Sequence, residues 1–350
     1  MHPMSLATLR IRESRDHQES LACCLEAILR WSGLEVPGDD LTAALGVSLV
    51  TASSGRDDDD LGCWPAYGRD LSLVEAAALF GTRLRDAHPP EAARGLANLP
   101  EFAQHFEASY KPLVLGALAN NEPVIAWQGW PDDRRLAWGV ITGTCEQGIG
   151  LAGTTIGAGG EAVPLDAPPV QLYVVESVAP RQPQAAALVR AAMSAACHLA
   201  DESHGRRWGI RAGPAALELW AQRLASDQGI SRGGVTPSGH LRLANHLIRA
   251  RESATRFLDR HAGAAPAGAG PMLADLHSAV RRMIAALLPA ADTTAVEQAC
   301  ATLDGRRTLA GQVRAAAAIE RQTVESTGRL HQHLSQQAPP SGDAKLPGRP

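Results

Sequence analysis

The sequence changes character near residue 180, and this change constrains the fold more than any other feature. Before it, short runs rich in Val and Ile, such as Pro123–Trp127, alternate with helical patterns. After it, Ala-rich stretches with spaced leucines predict helices throughout. Pro180–Pro183 marks the change, because proline removes a backbone donor and disfavours helix in the residue before it. The sequence therefore predicts an α+β domain over residues 1–179, an all-helical domain over residues 184–334 and a disordered tail over residues 335–350.

The spacing of apolar residues gives the expected elements of each part. In the first part it predicts these helices: Leu21–Ser32, Leu41–Leu45, Ser72–Phe80 and Lys111–Ala119. Closely spaced β-rich runs predict these strands of an antiparallel sheet: Pro123–Trp127, Leu136–Thr142, Gly148–Ala152 and Val170–Val175. The second part predicts these helices: Gln184–Glu202, Ala215–Ser226, Ser238–His261, Met272–Leu288 and Arg306–His333. Helices followed by a run of strands are typical of an α+β layout.

Charge is unevenly distributed along the chain. The net charge is -4, but residues 1–179 contain 12 basic and 24 acidic residues, whereas residues 180–350 contain 21 and 13. Oppositely charged parts would attract each other across an interface, or the basic part would bind an acidic partner. The arginines are scattered without interleaved aromatics, which disfavours nucleic acid as a partner. The arginines of the third helix in the second part are expected on a solvated face: Arg249, Arg251, Arg256 and Arg260.

Cysteine usage and the lack of long apolar runs indicate the compartment. The six cysteines show neither metal-ligand spacing nor a disulfide framework, so we expect reduced thiols, no metal and no cofactor. The Asp57–Asp60 run has the Ser/Gly setting of a solvated loop. Arg10, Arg12 and Glu13 lie where a signal peptide needs an apolar core, and no uninterrupted apolar run reaches ~18 residues. We therefore expect a cytoplasmic protein that does not associate with membranes.

The helix that begins near Ser20 is the candidate site for chemistry. A thiol hydrolase places its nucleophile at the N-terminus of a buried helix, where the helix dipole lowers the thiol pKa and backbone donors hold an oxyanion. A histidine must reach the sulfur from a distant strand, and a third polar group must orient it. His17–Gly33 contains an apolar stripe at helical spacing that ends at a glycine, as such a helix would.

That segment, HQESLACCLEAILRWSG, resembles the nucleophile helix of the peptidase domain in bacteriocin-exporting transporters, and more closely that of the butirosin biosynthesis protein H family. Leu41–Leu49 is similar to the next segment of the butirosin family. The helical part resembles that family's C-terminal domain around Leu217–Leu224 and Asn245–Leu258. The resemblance covers most of residues 10–333. It implies a papain-like, cysteine-peptidase-type N-terminal domain followed by an all-helical domain.

The resemblance also assigns the catalytic positions, and each of them carries a residue that lacks the family's catalytic group. Alignment on Arg30–Gly33 puts Ser20 at the position of the nucleophilic cysteine. The family histidine opens a strand that ends in Thr-Gly, and here that position is Ala137. The orienting aspartate lies on the next strand, where the sequence has Gly153 or Thr154. Three further residues are expected to line the pocket: His17, Cys23 and Trp138.

A rival register keeps a cysteine as the nucleophile. Gln18 precedes Cys24 by the spacing that separates the oxyanion glutamine from the cysteine in papain-like enzymes, which would make Cys24 the nucleophile. Against this, Cys24 shares an apolar stripe with Leu21 and Ile28, where a small cysteine is commonly core. Neither register recovers the histidine. Ser20 would also serve as a helix N-cap, its hydroxyl accepting a backbone N–H.

Three functions are consistent with this interpretation. The first is a catalytically degenerate relative that binds a peptide-like or acyl ligand, or a protein partner, near Ser20 and Ala137. The second is an acyltransferase, because the butirosin relative moves an aminoacyl group from an acyl carrier protein to an amine, and an acidic carrier would suit the basic helical part. The third is a cysteine peptidase or amidase. The missing histidine counts against both enzymes, since each needs a general base.

Overall fold

The structure is a computed structural model that describes residues 5–12, 19–53, 72–87, 101–131, 137–145, 149–201, 211–226, 236–264 and 268–337. Four features of the sequence interpretation lie outside these residues: His17, Gln18, the Asp57–Asp60 run, and residues 338–350 of the predicted tail.

Helices occur in both halves of the chain. In the first half they are α1 Ser20–Trp31, α2 Gly38–Ala44, α3 Ser72–Leu79, α4 Phe102–His105 and α5 Lys111–Ala119, with a π-helical stretch Phe106–Tyr110 between the last two. In the second half they are α6 Ala185–Ala200, α7 Pro214–Leu224, α8 Pro237–His261, α9 Gly270–Leu287, α10 Thr293–Cys300 and α11 Leu303–Gln336. Short 3₁₀ turns lie at Leu6–Thr8, Ala262–Ala264 and Leu288–Ala291.

The strands form one large sheet and one small one. They are β1 Ala52–Ser53, β2 Thr82–Asp86, β3 Val124–Trp127, β4 Trp138–Cys145, β5 Gly150–Thr155, β6 Val163–Pro164, β7 Gln171–Val178 and β8 Arg211–Ala212. The large sheet has six strands in the order β2-β7-β3-β4-β5-β6, and every neighbouring pair is antiparallel. β1 pairs with β8. The molecule is therefore α+β, as the sequence predicts.

Successive side chains of a strand point to opposite sides of a sheet. In the large sheet, the side chains of both faces are buried against an apolar core. On one face Ile125 and Tyr173 join the larger apolar core, together with α1 and helices of the second half. On the other face Val124 and Val174 join a smaller core that contains Phe106. The start of α1 is thereby held against the first of these faces.

One apolar core runs through both halves of the chain. It includes Leu25 of α1, Leu247 of α8 and Leu330 of α11. β7 ends at Val178 and α6 begins at Ala185, so the secondary structure changes within the segment that contains Pro180–Pro183. Among the described helices, none combines the length and the apolar character that crossing a membrane requires.

The structure adds elements that the sequence patterns did not predict. β2 has the sequence TRLRD, in which only two positions are buried. Its three charged residues leave no apolar run that would predict a strand. β8 is a strand in the half that was expected to be purely helical, and this expectation is wrong. Its two residues are paired by tertiary contact with β1, which no local pattern reveals. α10 is an additional short helix, and α11 extends beyond both predicted ends.

The arginines of α8 do not form the solvated face that was predicted. Arg251 is fully buried, and its Nη1 donates to the carbonyl oxygen of Ser48 at 2.7 Å. Its Nη2 donates to Thr51 Oγ1 at 2.8 Å and to both carboxylate oxygens of Glu320, at 2.9 and 2.8 Å. The Thr51 backbone N–H also donates to Glu320, at 2.7 Å. Through these hydrogen bonds, Arg251 of α8 and Glu320 of α11 connect their helices to the loop after α2.

Two acidic residues in the first turn of α2 hold further arginines of α8. Arg256 Nη2 donates to Asp39 Oδ1 at 3.0 Å, and Arg260 Nη2 donates to Asp39 Oδ2 at 3.2 Å. Arg260 also donates to Asp40, and His261 Nε2 lies 3.0 Å from the same Asp40 oxygen. We call Asp39, Asp40, Arg251, Arg256, Arg260 and Glu320 the polar seam. Part of the opposite charge of the two halves is thus neutralised at their contact.

Candidate functional site

The N-terminus of α1 lies against the beginning of β4. The backbone N–H of Trp138 donates to Ser20 Oγ at 3.1 Å, although the two residues are 118 positions apart in the sequence. The structure thus brings Ser20 next to the strand start that contains Ala137. These are the two positions that the resemblance assigns to the nucleophile and the base.

The bonding of Ser20 is that of a structural residue. The N-cap position of α1 is occupied by Glu19, so the prediction that Ser20 caps the helix is wrong. Ser20 is instead the first helical residue, and strand β4 supplies the donor for its hydroxyl oxygen. Among the residues that the structure describes, no histidine hydrogen-bonds to Ser20. A serine hydroxyl without a base stays un-ionised at neutral pH and is a poor nucleophile.

The position assigned to the base has no group that could carry a proton. Ala137 is buried, and its carbonyl oxygen accepts the N–H of Gln128 at 3.1 Å. Its methyl side chain cannot accept a proton from Ser20. Ala137 therefore supplies backbone structure to the turn between β3 and β4 and takes no part in acid–base chemistry.

The position assigned to the orienting acid has no room for a side chain. Gly153 pairs with Ile141 at an irregularity in the β4–β5 register. A Cβ atom on Gly153 would lie 2.7 Å from Ile141 Cα and would meet the carbonyl oxygen of Val140. The alternative position, Thr154, accepts the backbone N–H of Ile11 on its hydroxyl oxygen at 3.2 Å. Both positions therefore serve the packing of β5.

The rival nucleophile Cys24 lies inside the larger core. It is fully buried among the apolar residues of α1. Burial raises the pKa of the Cys24 thiol well above its usual value, and neighbouring Cys23 raises it further. A nucleophilic cysteine needs the opposite, an accessible thiol with a lowered pKa. Cys23 is buried in the same core rather than exposed in a pocket.

Trp138 is also a core residue. It is fully buried, with its ring centroid 6.2 Å from that of Trp127 and 6.1 Å from that of Tyr173. These distances are typical of packed aromatic pairs. The peptide oxygen of Trp138 accepts the hydroxyl of Thr155 at 2.8 Å, which ties β4 to β5. The aromatic group predicted to line a pocket thus stabilises the sheet face under α1.

Sequence reasoning missed the contact between Glu19 and His246. Glu19 Oε1 lies 3.0 Å from His246 Nε2, and both side chains are largely buried. They line a small cavity of about 10 Å³ together with Ser48. A carboxylate beside the first turn of α1 is stabilised by the positive end of the helix dipole. His246 lies in the second half of the chain, so no local signal could have revealed this pair.

A comparison of the chain with known protein families gives no match. A comparison with curated proteins likewise gives none. The kinship with the butirosin biosynthesis protein H family therefore stays a prediction from the quoted segments.

Proposed function

We propose that this chain is a non-catalytic binding protein built on a papain-like scaffold. One observation carries the proposal: the hydroxyl oxygen of Ser20 accepts the Trp138 N–H, and these residues lie at the positions that the resemblance assigns to the nucleophile and beside the base. The residue at the base position is Ala137, whose methyl group offers no proton acceptor. Among the residues that the structure describes, no base reaches Ser20, so none of them activates its hydroxyl.

Two further features support the proposal, and they are independent of one another. Gly153 leaves no space for an orienting acid. Cys24 is buried with a raised pKa. We propose a peptide-like or acyl ligand, or a protein partner, as the occupant of the region around Ser20 and Ala137.

Chemical labelling tests the proposal directly. The folded protein is treated with iodoacetamide over a range of pH values and, separately, with a fluorophosphonate, and the adducts are mapped by mass spectrometry. We expect no fluorophosphonate adduct on Ser20, and alkylation of Cys24 only after unfolding, because its thiol is buried and protonated. Partly exposed Cys145 is the internal control and should be alkylated in the folded state.

An active enzyme would give a different pattern. Fast, pH-independent alkylation of Cys24 would support a cysteine peptidase or an acyltransferase and would overturn the proposal. A fluorophosphonate adduct on Ser20 would have the same consequence, because only an activated serine reacts with this reagent. A lack of labelling at Cys145 would show that the reagent failed, and the reaction would be repeated with a smaller alkylating agent.

A further inference from the structure

A groove lies where α2, α3, α6 and α11 meet, away from Ser20. Its volume is about 370 Å³, and residues from both halves of the chain line it. Pockets that bind small molecules typically have volumes of roughly 300–1,000 Å³ and combine an apolar surface with a few polar groups. We call it the alanine groove, because Ala44, Ala76, Ala191 and Ala195 form its apolar part.

The groove exists because small side chains meet where the helices approach closely. Gly46, just after α2, has a positive φ, and a Cβ atom there would lie 2.8 Å from the backbone of Ala195. The chain therefore packs backbone against backbone at this point. The alanine side chains above the contact are too short to fill the space that remains between α3, α6 and α11.

Two opposite charges face the groove, Arg190 from α6 and Glu75 from α3. Within the part of the chain that the structure describes, neither forms an ion pair, with each other or with any other residue. The imidazole of His331 lines the same groove. Arg190 is half-buried and Glu75 is exposed, and an arginine beside a cavity that has no partner among the described residues is available to a ligand.

We infer that the alanine groove binds a small zwitterion of the α-amino-acid class. Its carboxylate pairs with Arg190, whose guanidinium matches a carboxylate in geometry, and its ammonium pairs with Glu75. The alanines accept an aliphatic side chain. A simple anion would be repelled by Glu75 and a simple cation by Arg190, so the pair of charges favours a ligand that carries both. The inference does not depend on the state of Ser20.

Calorimetric titration of the full chain tests the inference with a matched set of probes. L-leucine carries both charges, N-acetyl-L-leucine lacks the ammonium, and L-leucinamide lacks the carboxylate. L-alanine and L-phenylalanine cover smaller and larger side chains. We expect saturable binding of at least one free amino acid. Each capped form of leucine should bind at least about tenfold more weakly than leucine, because one charge-assisted contact is lost.

Variants assign the binding to the groove. Arg190→Gln and Glu75→Gln should each weaken the binding of the free amino acid about tenfold. The matched control is Arg314→Gln with Glu218→Gln, a pair of exposed opposite charges whose atoms lie 3.9 Å apart on α11 and α7, and it should leave binding unchanged. Urea unfolding of each variant shows whether it is folded. The inference is overturned if none of the three amino acids binds at millimolar concentration. It is also overturned if the capped forms bind as well as leucine, or if both groove variants bind like the wild type.

Discussion

The polar seam and the alanine groove both lie where the two halves of the chain meet, yet they use charge in opposite ways. In the seam, every carboxylate of Asp39, Asp40 and Glu320 contacts an arginine of α8. In the groove, Arg190 and Glu75 have no ion-pair partner among the described residues. Paired and buried charges hold elements together, whereas unpaired charges around a cavity are free to bind. The comparison predicts that seam and groove substitutions affect different measurements.

The largest effect on stability is expected at the fully buried pair of the seam. Glu320→Gln leaves the Arg251 guanidinium buried without its counter-charge, which should lower the free energy of unfolding by about 3–5 kcal/mol. Urea unfolding followed by circular dichroism measures this change. The control is the double variant Arg251→Met with Glu320→Leu, which removes both charges and should recover most of the loss. A loss below about 1 kcal/mol for the single variant would contradict the buried pair.

A smaller effect is expected at Asp39, because its arginine partners are partly exposed. Burial opposes ionisation of Asp39, but hydrogen bonds from Arg256, Ser253 and Arg260 outweigh it and lower the pKa of its carboxyl. Its pairing therefore stabilises the fold fully above the ordinary pKa of 3.8, and this stabilisation is lost as the pH falls through the lowered value.

Asp39→Asn removes both the pairing and its pH dependence. At neutral pH the variant should be less stable by roughly 1–2 kcal/mol, and the gap between variant and wild type should narrow below about pH 4. Urea midpoints measured from neutral to acidic pH give the comparison. Asp304→Asn is the control, since Asp304 is almost fully exposed and its contact with Arg307 at 3.6 Å should contribute little. A gap that stays constant with pH would contradict the ionic role of Asp39.

The smallest effect on stability is expected in the groove. Arg190→Gln and Glu75→Gln break no ion pair of the described structure, so each should change the free energy of unfolding by less than about 0.5 kcal/mol. The same urea experiment measures these variants beside Asp39→Asn. If Arg190→Gln and Glu75→Gln destabilise the protein as much as Asp39→Asn does, the groove charges have a structural role. The proposed difference between paired charges in the seam and unpaired charges in the groove would then be wrong.

Local patterns predicted the elements that local forces determine. Lys111–Ala119 has the predicted bounds, because Asn120 and Asn121 form the turn that ends the helix. The strand Val124–Trp127 differs from its prediction by one residue. β2 escaped detection because its charged residues Arg83 and Arg85 pair with Glu176 on the neighbouring strand, and that pairing is tertiary. β8 depends in the same way on its distant partner β1.

At the candidate site, too, the segments could be predicted from local sequence, but the hydrogen-bond partners from distant parts of the chain could not. The start of α1 and the beginning of β4 were identified from their residues, and they do meet at Ser20 and Trp138. The role of Ser20 could not be predicted, because its donor comes from a strand more than a hundred residues away. Arg251 was expected in solvent for a similar reason: its partner Glu320 lies 69 residues further along the chain.

The close approach of β4 and β5 at Gly153 has a consequence for anyone who would reintroduce catalysis. A histidine at Ala137 and a cysteine at Ser20 are each one substitution away, but an aspartate at Gly153 would collide with the main chain of Ile141. Main-chain atoms in a central sheet cannot move aside as a side chain can, so the neighbouring strand would have to change its register. An orienting acid could therefore be reintroduced by a point mutation only at Thr154, where it would replace the hydroxyl that accepts the Ile11 N–H, whereas at Gly153 it requires the sheet itself to be rebuilt.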